Sequence, residues 1–194
     1  TGIISSLPNG VRVVTQHMPH VETVSLGVWV PSWDGKRVAY NVKANNSDEA
    51  ELHLLEVETG KVSAIDVIPG TKYAHPSWTP SGDGFYYVRL PVDPAIAVAD
   101  RPGLAEVRFH RVGEPPARDE LVRGKLGDPQ KFASVALSRD GHFLFYVISH
   151  GWSATDVYYR DLRKPGPEAA TWHTLVENVP ALFNVTAHGD RLKA

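Results

Sequence analysis

One turn sequence recurs along the chain at intervals of about fifty residues, and this recurrence limits the folds that the chain can adopt. Three copies read Ser-x-Asp-Gly, at 32–35, 81–84 and 138–141, and a weaker fourth occupies 188–191. Their aspartates, at positions 34, 83, 140 and 190, lie 49, 57 and 50 residues apart. Because the glycine of an Asp-Gly step readily adopts a positive φ, each copy is predicted to be a tight turn between two antiparallel strands.

Strand-like segments surround each turn in the same order. A short strand with small side chains precedes the turn, as at 133–138. Further segments follow at 36–41, 51–57 and 62–67 in the first repeat, at 85–90, 106–112 and 120–123 in the second, and at 142–149, 156–162 and 171–176 in the third. Four short antiparallel strands per repeat, the first rich in small residues, are typical of a β-propeller blade. A β-sandwich also contains short strands at this spacing, but the repetition of one turn at blade length favours the propeller.

The predicted fold class is therefore all-β: a partial β-propeller of about three four-stranded blades plus the start of a fourth, with an N-terminal β-hairpin segment. The 16 glycines and 15 prolines are spread along the chain, which indicates short strands and turns rather than a helical bundle. Three blades cannot close a ring, so the blade faces at both ends lack a neighbour. We therefore expect self-association or marginal folding.

The composition excludes several classes of function. Lys and Arg total 20 against 22 Asp and Glu, and the net charge of −2 offers no basic surface for nucleic acid or an anionic membrane. The absence of cysteine excludes a disulfide framework, a thiol nucleophile and cysteine-containing zinc sites. The apolar runs are too short to span a bilayer, and no secretion signal begins the chain. We expect no nucleic-acid partner, no membrane partner and a cytoplasmic location.

A series of short motifs between residues 31 and 192 matches one peptidase family in order. The motifs are 32–40 (SWDGKRVAY), 70–74 (GTKYA), 78–80 (WTP), 84–87 (GFYY), 101–103 (RPG), 127–129 (GDP), 137–141 (LSRDG), 151–153 (GWS) and 156–158 (DVY). From Pro31 to about Leu192 the chain thus resembles the N-terminal propeller of the prolyl oligopeptidases, a family of serine peptidases.

This resemblance implies that the parent protein hydrolyses short proline-containing peptides and that its propeller acts as a filter over the active site. The hydrolase domain that would carry the catalytic Ser, Asp and His is missing from the sequence. We therefore expect an inactive propeller fragment, for which a peptide is a substrate only together with the missing hydrolase domain. A freestanding interaction module built from blades and a fragment of a zinc metallopeptidase are the alternatives.

The first thirty residues carry motifs of a different kind, at 7–14 (LPNGVRVV), 18–20 (MPH) and 21–30 (VETVSLGVWV). They resemble the first hairpin of the pitrilysin-type zinc peptidases, the group that includes the mitochondrial processing peptidases. The sequence is therefore interpreted as a chimera, with a foreign hairpin segment at 1–30, a propeller fragment at 31–194 and a join at Val30–Pro31. The alternating segment 23–30 is expected to serve as the innermost strand of the first blade and to pair with 37–42.

No residue is assigned a catalytic, cofactor-binding or metal-binding role. The inverted His-x-x-Glu-His helix of the zinc peptidases does not occur in the sequence, and a proline between His17 and His20 prevents a helical ligand pair. His53, His110 and His173 fall in strands of successive repeats. They are interpreted as blade-face residues rather than metal ligands, because no partner lies at ligand spacing.

The segment 151–155 (GWSAT) resembles a Gly-x-Ser-x-Gly nucleophile elbow, with Ser153 at the central position. Thr155 replaces the last glycine of that pattern, and the segment lies between two strands rather than before a helix. It is therefore predicted to be a turn. Trp33, Trp78 and Trp152 are expected to pack between blades rather than to stack on a ligand.

The isolated chain is predicted not to cleave proline-containing peptides, because it offers no activated nucleophile. The measurement is hydrolysis of a chromogenic Gly-Pro substrate by the chain and by its Ser153→Ala variant. Both are expected to give the background rate, and turnover that disappears in the variant would contradict the prediction.

Overall fold

The chain folds as a series of antiparallel β-sheets. The computed structural model describes residues 2–6, 8, 12–16, 30–43, 50–72, 74–189 and 191–193. Within these ranges three sheets contain four strands each, in sequential order, and two further sheets are two-stranded hairpins. The predicted fold class, about three four-stranded blades and the start of a fourth after an N-terminal hairpin, is confirmed.

The strands follow the order of the repeats. The N-terminal hairpin pairs β1 (Gly2–Ser6) with β2 (Arg12–Gln16). Blade 1 contains β3 (Val30–Pro31), β4 (Arg37–Val42), β5 (Glu51–Glu56) and β6 (Val62–Pro69). Blade 2 contains β7 (Ser77–Trp78), β8 (Gly84–Arg89), β9 (Glu106–Arg111) and β10 (Glu120–Arg123). Blade 3 contains β11 (Phe132–Leu137), β12 (Phe143–His150), β13 (Ala154–Asp161) and β14 (His173–Val176). A last hairpin pairs β15 (Thr186–His188) with β16 (Arg191–Lys193).

In the described part of the chain, three short 3₁₀ helices lie in the connections, at Arg101–Leu104, Pro116–Arg118 and Gly166–Ala170. None of the helices that the structure describes is long and apolar enough to cross a membrane.

The turn between the first two strands has the same backbone geometry in all three blades. The amide at its fourth residue donates to the carbonyl oxygen of its first residue in the turns 32–35, 79–82 and 138–141. The glycines that end these turns have φ values of 68°, 69° and 75°. In blade 2 the turn therefore lies two residues before the predicted 81–84. The reason is that Thr79 takes the place of the serine and Gly82 supplies the positive φ, so Gly84 is free to begin β8.

An aspartate fixes the conformation of this turn in blades 1 and 3. Oδ1 of Asp34 accepts hydrogen bonds from the Ser32 hydroxyl at 2.6 Å and from the amide of residue 36 at 3.0 Å. Asp140 accepts the equivalent bonds from the Ser138 hydroxyl at 2.6 Å and from the amide of residue 142 at 3.1 Å. These hydrogen bonds lower the pKa of both carboxyl groups. The Ser-x-Asp-Gly sequence thus stabilises a turn, as local side-chain bonds to the backbone generally do.

The predicted join at Val30–Pro31 coincides with β3 of blade 1. β3 runs antiparallel to β4, with Val30 opposite Ala39 and Pro31 opposite Val38. The predicted pairing of this segment with 37–42 is confirmed for these two residues. Residues 23–29 of the predicted strand lie outside the described residues.

Blade 2 packs one face on blade 1 and the other on blade 3. Alternate residues of β8 point to opposite faces, so Phe85 and Tyr87 face blade 1 while Val88 faces blade 3. The cluster between blades 1 and 2 contains Ala39, Leu52, Leu54, Ile68, Ala74, Trp78, Phe85 and Tyr87. The cluster between blades 2 and 3 contains Val88, Leu90, Ala105, Val107, Val122, Val135, Leu144 and Tyr146. Each fully buried large side chain contributes about 1.5–3 kcal/mol of stability.

The face of blade 3 that points away from blade 2 was expected to expose apolar side chains, but its phenylalanines are buried. Phe143 and Phe145 are only 3% and 4% exposed. The Phe143 ring packs edge-on against Tyr159 at 6.1 Å between centroids, and the Arg163 guanidinium lies 4.7 Å above it. These phenylalanines therefore offer little apolar surface to a neighbour, and self-association of the chain stays a prediction.

Gly70 occupies a close contact between blades 1 and 2. The Leu90 amide donates to the Gly70 carbonyl oxygen at 2.8 Å, the φ of Gly70 is +78°, and a Cβ here would lie 2.2 Å from the Leu90 carbonyl oxygen. We expect Gly70→Ala to lower the free energy of unfolding by about 3 kcal/mol, because both the φ and the contact resist a side chain. Urea denaturation measures the change.

Two glycines serve as matched controls for that substitution. Gly113 has a φ of +85° but no heavy atom within 4 Å of its Cβ position, so Gly113→Ala should cost only about 1 kcal/mol. Gly124 has neither constraint, so Gly124→Ala should be close to neutral. Equal losses for Gly70→Ala and Gly113→Ala would show that the contact with Leu90 is unimportant.

Candidate functional site

The connections between strands lie at two opposite ends of the blades. In an antiparallel sheet, the connections after the first and third strands share one end, and those after the second and fourth share the other. We refer to the first end as the turn face (32–36, 57–61, 79–83, 112–119, 138–142 and 162–172) and to the second as the loop face (70–76, 90–105, 124–131, 151–153 and 177–185). A backbone hydrogen bond from Gly127 to Gly103 at 2.7 Å joins two segments of the loop face, and one from Thr155 at the start of β13 to Ala181 at 3.1 Å ties down a third.

Exposed apolar side chains are concentrated at the loop face. Among the described residues nine large hydrophobic side chains are strongly exposed, and six of them lie in or next to the connections of this face: Val92, Val98, Phe132, Trp152, Val179 and Leu182. Trp33 lies on the turn face, while Ile65 and Leu121 lie on the outermost strands β6 and β10. Apolar residues gathered at one end of a domain indicate a surface that contacts another protein or domain.

Trp152 is the most exposed of these residues, at 96%. It lies at the tip of the β12–β13 hairpin, after Gly151, which has a φ of 61°. The base of the hairpin is fixed by His150, whose Nε2 lies 2.6 Å from Asp156 Oδ2. Asp156 also accepts a hydrogen bond from the amide of Asn178 at 3.0 Å. The indole is therefore presented to solvent on a well-anchored turn, and the expectation that Trp152 packs between blades is wrong.

The other two tryptophans lie at the contact between blades 1 and 2. Trp78 is 3% exposed and packs edge-on against Phe85 at 4.9 Å between ring centroids. Trp33 is half-exposed and donates from Nε1 to the Trp78 carbonyl oxygen at 3.2 Å. For these two residues the predicted packing between blades is confirmed.

The long connection between β8 and β9 is tied down by a buried arginine. Arg101 is 8% exposed, and its guanidinium donates to the carbonyl oxygens of Ile96 at 3.2 Å and Asp93 at 3.3 Å. This side chain holds the segment 91–100 against the blade although most of the segment is exposed to solvent. Val92 and Val98 are therefore displayed at defined positions.

Ser153 lies in a turn, as predicted. Its hydroxyl donates to the backbone carbonyl oxygen of His150 at 3.0 Å, while the imidazole of His150 is paired with Asp156. A serine nucleophile donates its hydroxyl proton to a base, whereas the Ser153 hydroxyl donates to a backbone carbonyl oxygen. The geometry of the hairpin is that of a structural turn.

The histidines considered as possible ligands have three different environments. His53 is half-buried on β5 and stacks on Tyr40, and burial lowers its pKa although Glu51 opposes this. His173 is exposed on β14 with its ring against Tyr159 at 5.2 Å. His17 and His20 lie outside the described residues. No group of three His, Cys, Asp or Glu side chains able to hold a metal ion occurs in the described ranges.

His110 is fully buried between two aspartates. Its Nδ1 lies 2.7 Å from Asp119 Oδ1, and its Nε2 lies 2.9 Å from Asp66 Oδ1. Sequence reasoning missed this network because its members are 44 and 9 residues from the histidine. One signal was available: Asp66 interrupts the apolar strand 62–69, and a carboxylate in such a position requires a buried partner.

The described part of the chain is a set of β-propeller blades with exposed apolar side chains at the loop face. The family model "Prolyl oligopeptidase, N-terminal beta-propeller domain" matches residues 17–193. The chain belongs to the prolyl oligopeptidase family, and the resemblance of its propeller segment is confirmed.

Similar proteins include several prolyl peptidases. The chain is 25% identical over 131 residues to the prolyl endopeptidase of Elizabethkingia miricola and 28% identical over 138 residues to the dual function macrocyclase-peptidase POPB of Amanita bisporigera. Those matches cover 66% and 69% of this chain. One similar solved structure has a TM-score of 0.83 and 42% identity, and the match covers 95% of this chain. It comes from a study of two prolyl endopeptidases and the role of inter-domain dynamics in catalysis and specificity.

The chain corresponds to a small part of these proteins. It spans 18% and 19% of the lengths of the two curated relatives and 27% of the solved chain. The family match begins at residue 17, so it includes part of the segment 1–30 that was interpreted as foreign. The zinc-peptidase resemblance of that segment and the join at Val30–Pro31 find no support in these comparisons and stay predictions.

Two tryptophan substitutions separate the exposed surface from the core. Trp152→Ala should change the free energy of unfolding by no more than about 0.5 kcal/mol, because the indole is 96% exposed. Trp78→Ala should cost about 3–5 kcal/mol, because it empties the centre of the cluster between blades 1 and 2. Urea denaturation measures both, and a large loss for Trp152→Ala would mean that the hairpin tip is part of the folded core.

Proposed function

We propose that this chain is part of the substrate-filtering propeller of a serine peptidase that cleaves short proline-containing peptides, and that it acts through its loop face. The observation that carries the proposal is the concentration of exposed apolar side chains on that face, led by Trp152. Membership of the prolyl oligopeptidase family supplies the reaction class.

The loop face suits a permanent contact with a hydrolase domain. An exposed tryptophan, a phenylalanine and several aliphatic side chains are costly to leave in water, and burying them against a second domain recovers that free energy. Tryptophan is also the residue type that most often dominates the affinity of an interface. The relatives are about five times as long as the matched segment, which leaves room for such a domain in them.

The innermost strands support the filtering role. Along β11, Val135 is buried toward blade 2, whereas Ser134 and Ala136 are exposed on the opposite side. This is the face on which the next blade of a complete ring would pack, and small side chains at those positions would let that blade approach closely near the central channel. Phe132, at the loop-face end of β11, is 42% exposed, on the side of the blade that we propose the hydrolase domain covers. A ring closed tightly around its central channel would admit short peptides and exclude folded proteins.

A second candidate is a freestanding interaction module that binds a different protein through the same loop face. The same exposure of Trp152 supports it, because the structure of the surface does not depend on which domain covers it. The two candidates differ in the partner that they require.

Binding to a hydrolase domain distinguishes them. The chain is titrated into the separately produced hydrolase domain of a prolyl endopeptidase, and the affinity is measured by calorimetry. We expect binding that Trp152→Ala weakens at least tenfold, which corresponds to about 1.4 kcal/mol. Trp33→Ala, the matched change on the turn face, should leave the affinity unchanged.

The controls make the outcome interpretable. The hydrolase domain's own propeller, added in the same way, establishes that the domain is competent to bind. If that propeller binds and the present chain does not, the proposed docking is wrong and the interaction module becomes the better explanation. Equal losses from Trp152→Ala and Trp33→Ala would contradict the assignment of the contact to the loop face.

A further inference from the structure

A buried chain of polar side chains crosses the contact between blades 1 and 2. His110 on β9 of blade 2 is 0% exposed, and its two ring nitrogens face two carboxylates. Asp66 comes from β6 of blade 1, and Asp119 immediately precedes β10 of blade 2. The distances are 2.9 Å from Nε2 to Asp66 Oδ1 and 2.7 Å from Nδ1 to Asp119 Oδ1. One imidazole ring therefore connects the outer strands of two neighbouring blades.

The hydrogen bonds around the two carboxylates determine the protonation of this ring. Asp66 also accepts bonds from the amide of Gly113 at 2.6 Å and from the hydroxyl of Ser63. Asp119 Oδ2 accepts a bond from the hydroxyl of Tyr87 at 2.6 Å. Because carboxylate oxygens accept and do not donate, both ring nitrogens of His110 must donate, which only the protonated imidazolium can do.

We propose that the contact between blades 1 and 2 is a proton-dependent latch. The imidazolium of His110 holds Asp66 and Asp119 together, and loss of one ring proton in alkaline solution releases blade 1 from blade 2. After that loss, one ring nitrogen presents a lone pair to a buried carboxylate oxygen at hydrogen-bond distance. Such a pair is repulsive and cannot be relieved by water while the contact stays closed.

The electrostatics agree with this geometry. Burial disfavours the charged ring, but the hydrogen bonds and charges of Asp119 and Asp66 outweigh burial and raise the pKa of His110 from 6.5 to about 9. Burial also acts to raise the pKa of Asp66, and the bonds from His110, Ser63 and Gly113 lower it overall. The pKa of Tyr87 is raised by burial and by Asp119, so its hydroxyl stays a donor. Arg108 donates to the Asp119 carbonyl oxygen, and Arg89 acts on Tyr87.

The sign of the pH dependence follows from the raised pKa. The folded chain holds the proton more tightly than the unfolded chain, so the stabilisation is complete below about pH 6.5 and is lost as the pH rises through about 9. On the side away from His110, Asp66 is next to a pocket of about 200 Å³, whose lining includes neither His110 nor Asp119. The polar lining of that pocket includes Arg37, Glu56, Lys61 and Ser63.

Nitrogen-15 NMR of the histidine rings tests the protonation directly. At about pH 7.5 both ring nitrogens of His110 should carry protons, and the ring should titrate near pH 9. A ring that titrates at or below its ordinary pKa of 6.5 would overturn the proposal.

Hydrogen exchange tests the release of the blades. From about pH 7.5 to about pH 9.5, amide exchange in β6 and β9, relative to β12 and β13 as an internal reference, should increase about tenfold. The ratio removes the ordinary effect of pH on exchange rates. His110→Gln should make the ratio independent of pH, whereas His173→Gln, a control on the exposed face of blade 3, should behave like the wild type. A ratio that does not change with pH in the wild type would overturn the proposal.

A second variant keeps the test valid if His110→Gln does not fold. Asp119→Asn removes one of the two charges that favour the imidazolium, so the pKa of His110 and the pH of release should both fall by about one unit or more. An unchanged titration in that variant would contradict the latch.

Discussion

The packing of each blade against its neighbours is the interaction on which the rest of the structure depends. A four-stranded sheet has two faces, and the residues of its strands alternate between them. In blade 2 both faces are apolar: Phe85 and Tyr87 pack toward blade 1, and Val88 packs toward blade 3. The blade is stable only between two others, so the structure is a stack of mutually dependent sheets rather than a set of independent ones.

Because the sheets depend on one another, their relative positions must be fixed by specific contacts in addition to apolar burial. The Gly70 carbonyl oxygen accepts a hydrogen bond from the Leu90 amide, which joins blade 1 to blade 2 at the loop face. The Trp33 indole donates to the Trp78 carbonyl oxygen, which joins the same two blades at the turn face. The His110 network adds a buried ionic contact across the same boundary. Apolar packing tolerates sliding, whereas these bonds have defined directions and lengths and therefore set the register between blades.

The two ends of the blades have separate roles as a result. The turn face contains short, hydrogen-bonded turns such as 32–35 and 138–141. Their serine and aspartate side chains form hydrogen bonds within the turn itself. The loop face contains connections whose apolar side chains, Trp152 above all, are exposed to solvent. Exposed side chains that contribute little to the stability of the chain are free to serve a contact with another domain, which is why we propose that the function belongs to this face.

The sequence by itself determined the blade architecture, because the Asp-Gly turns and the period-two alternation are local patterns that act over a few residues. It placed most of the strands and identified the family. The Ser-x-Asp-Gly pattern, however, predicted the second turn at 81–84, whereas the turn lies at 79–82 because Thr79 takes the place of the serine. The tertiary structure decided which residues meet across blades. Asp66 and His110 are 44 residues apart, and no local pattern specifies that a side chain of β6 in blade 1 meets one of β9 in blade 2. The exposure of Trp152 was also decided there, because whether an aromatic ring at a hairpin tip is covered depends on the neighbouring elements and not on its own segment.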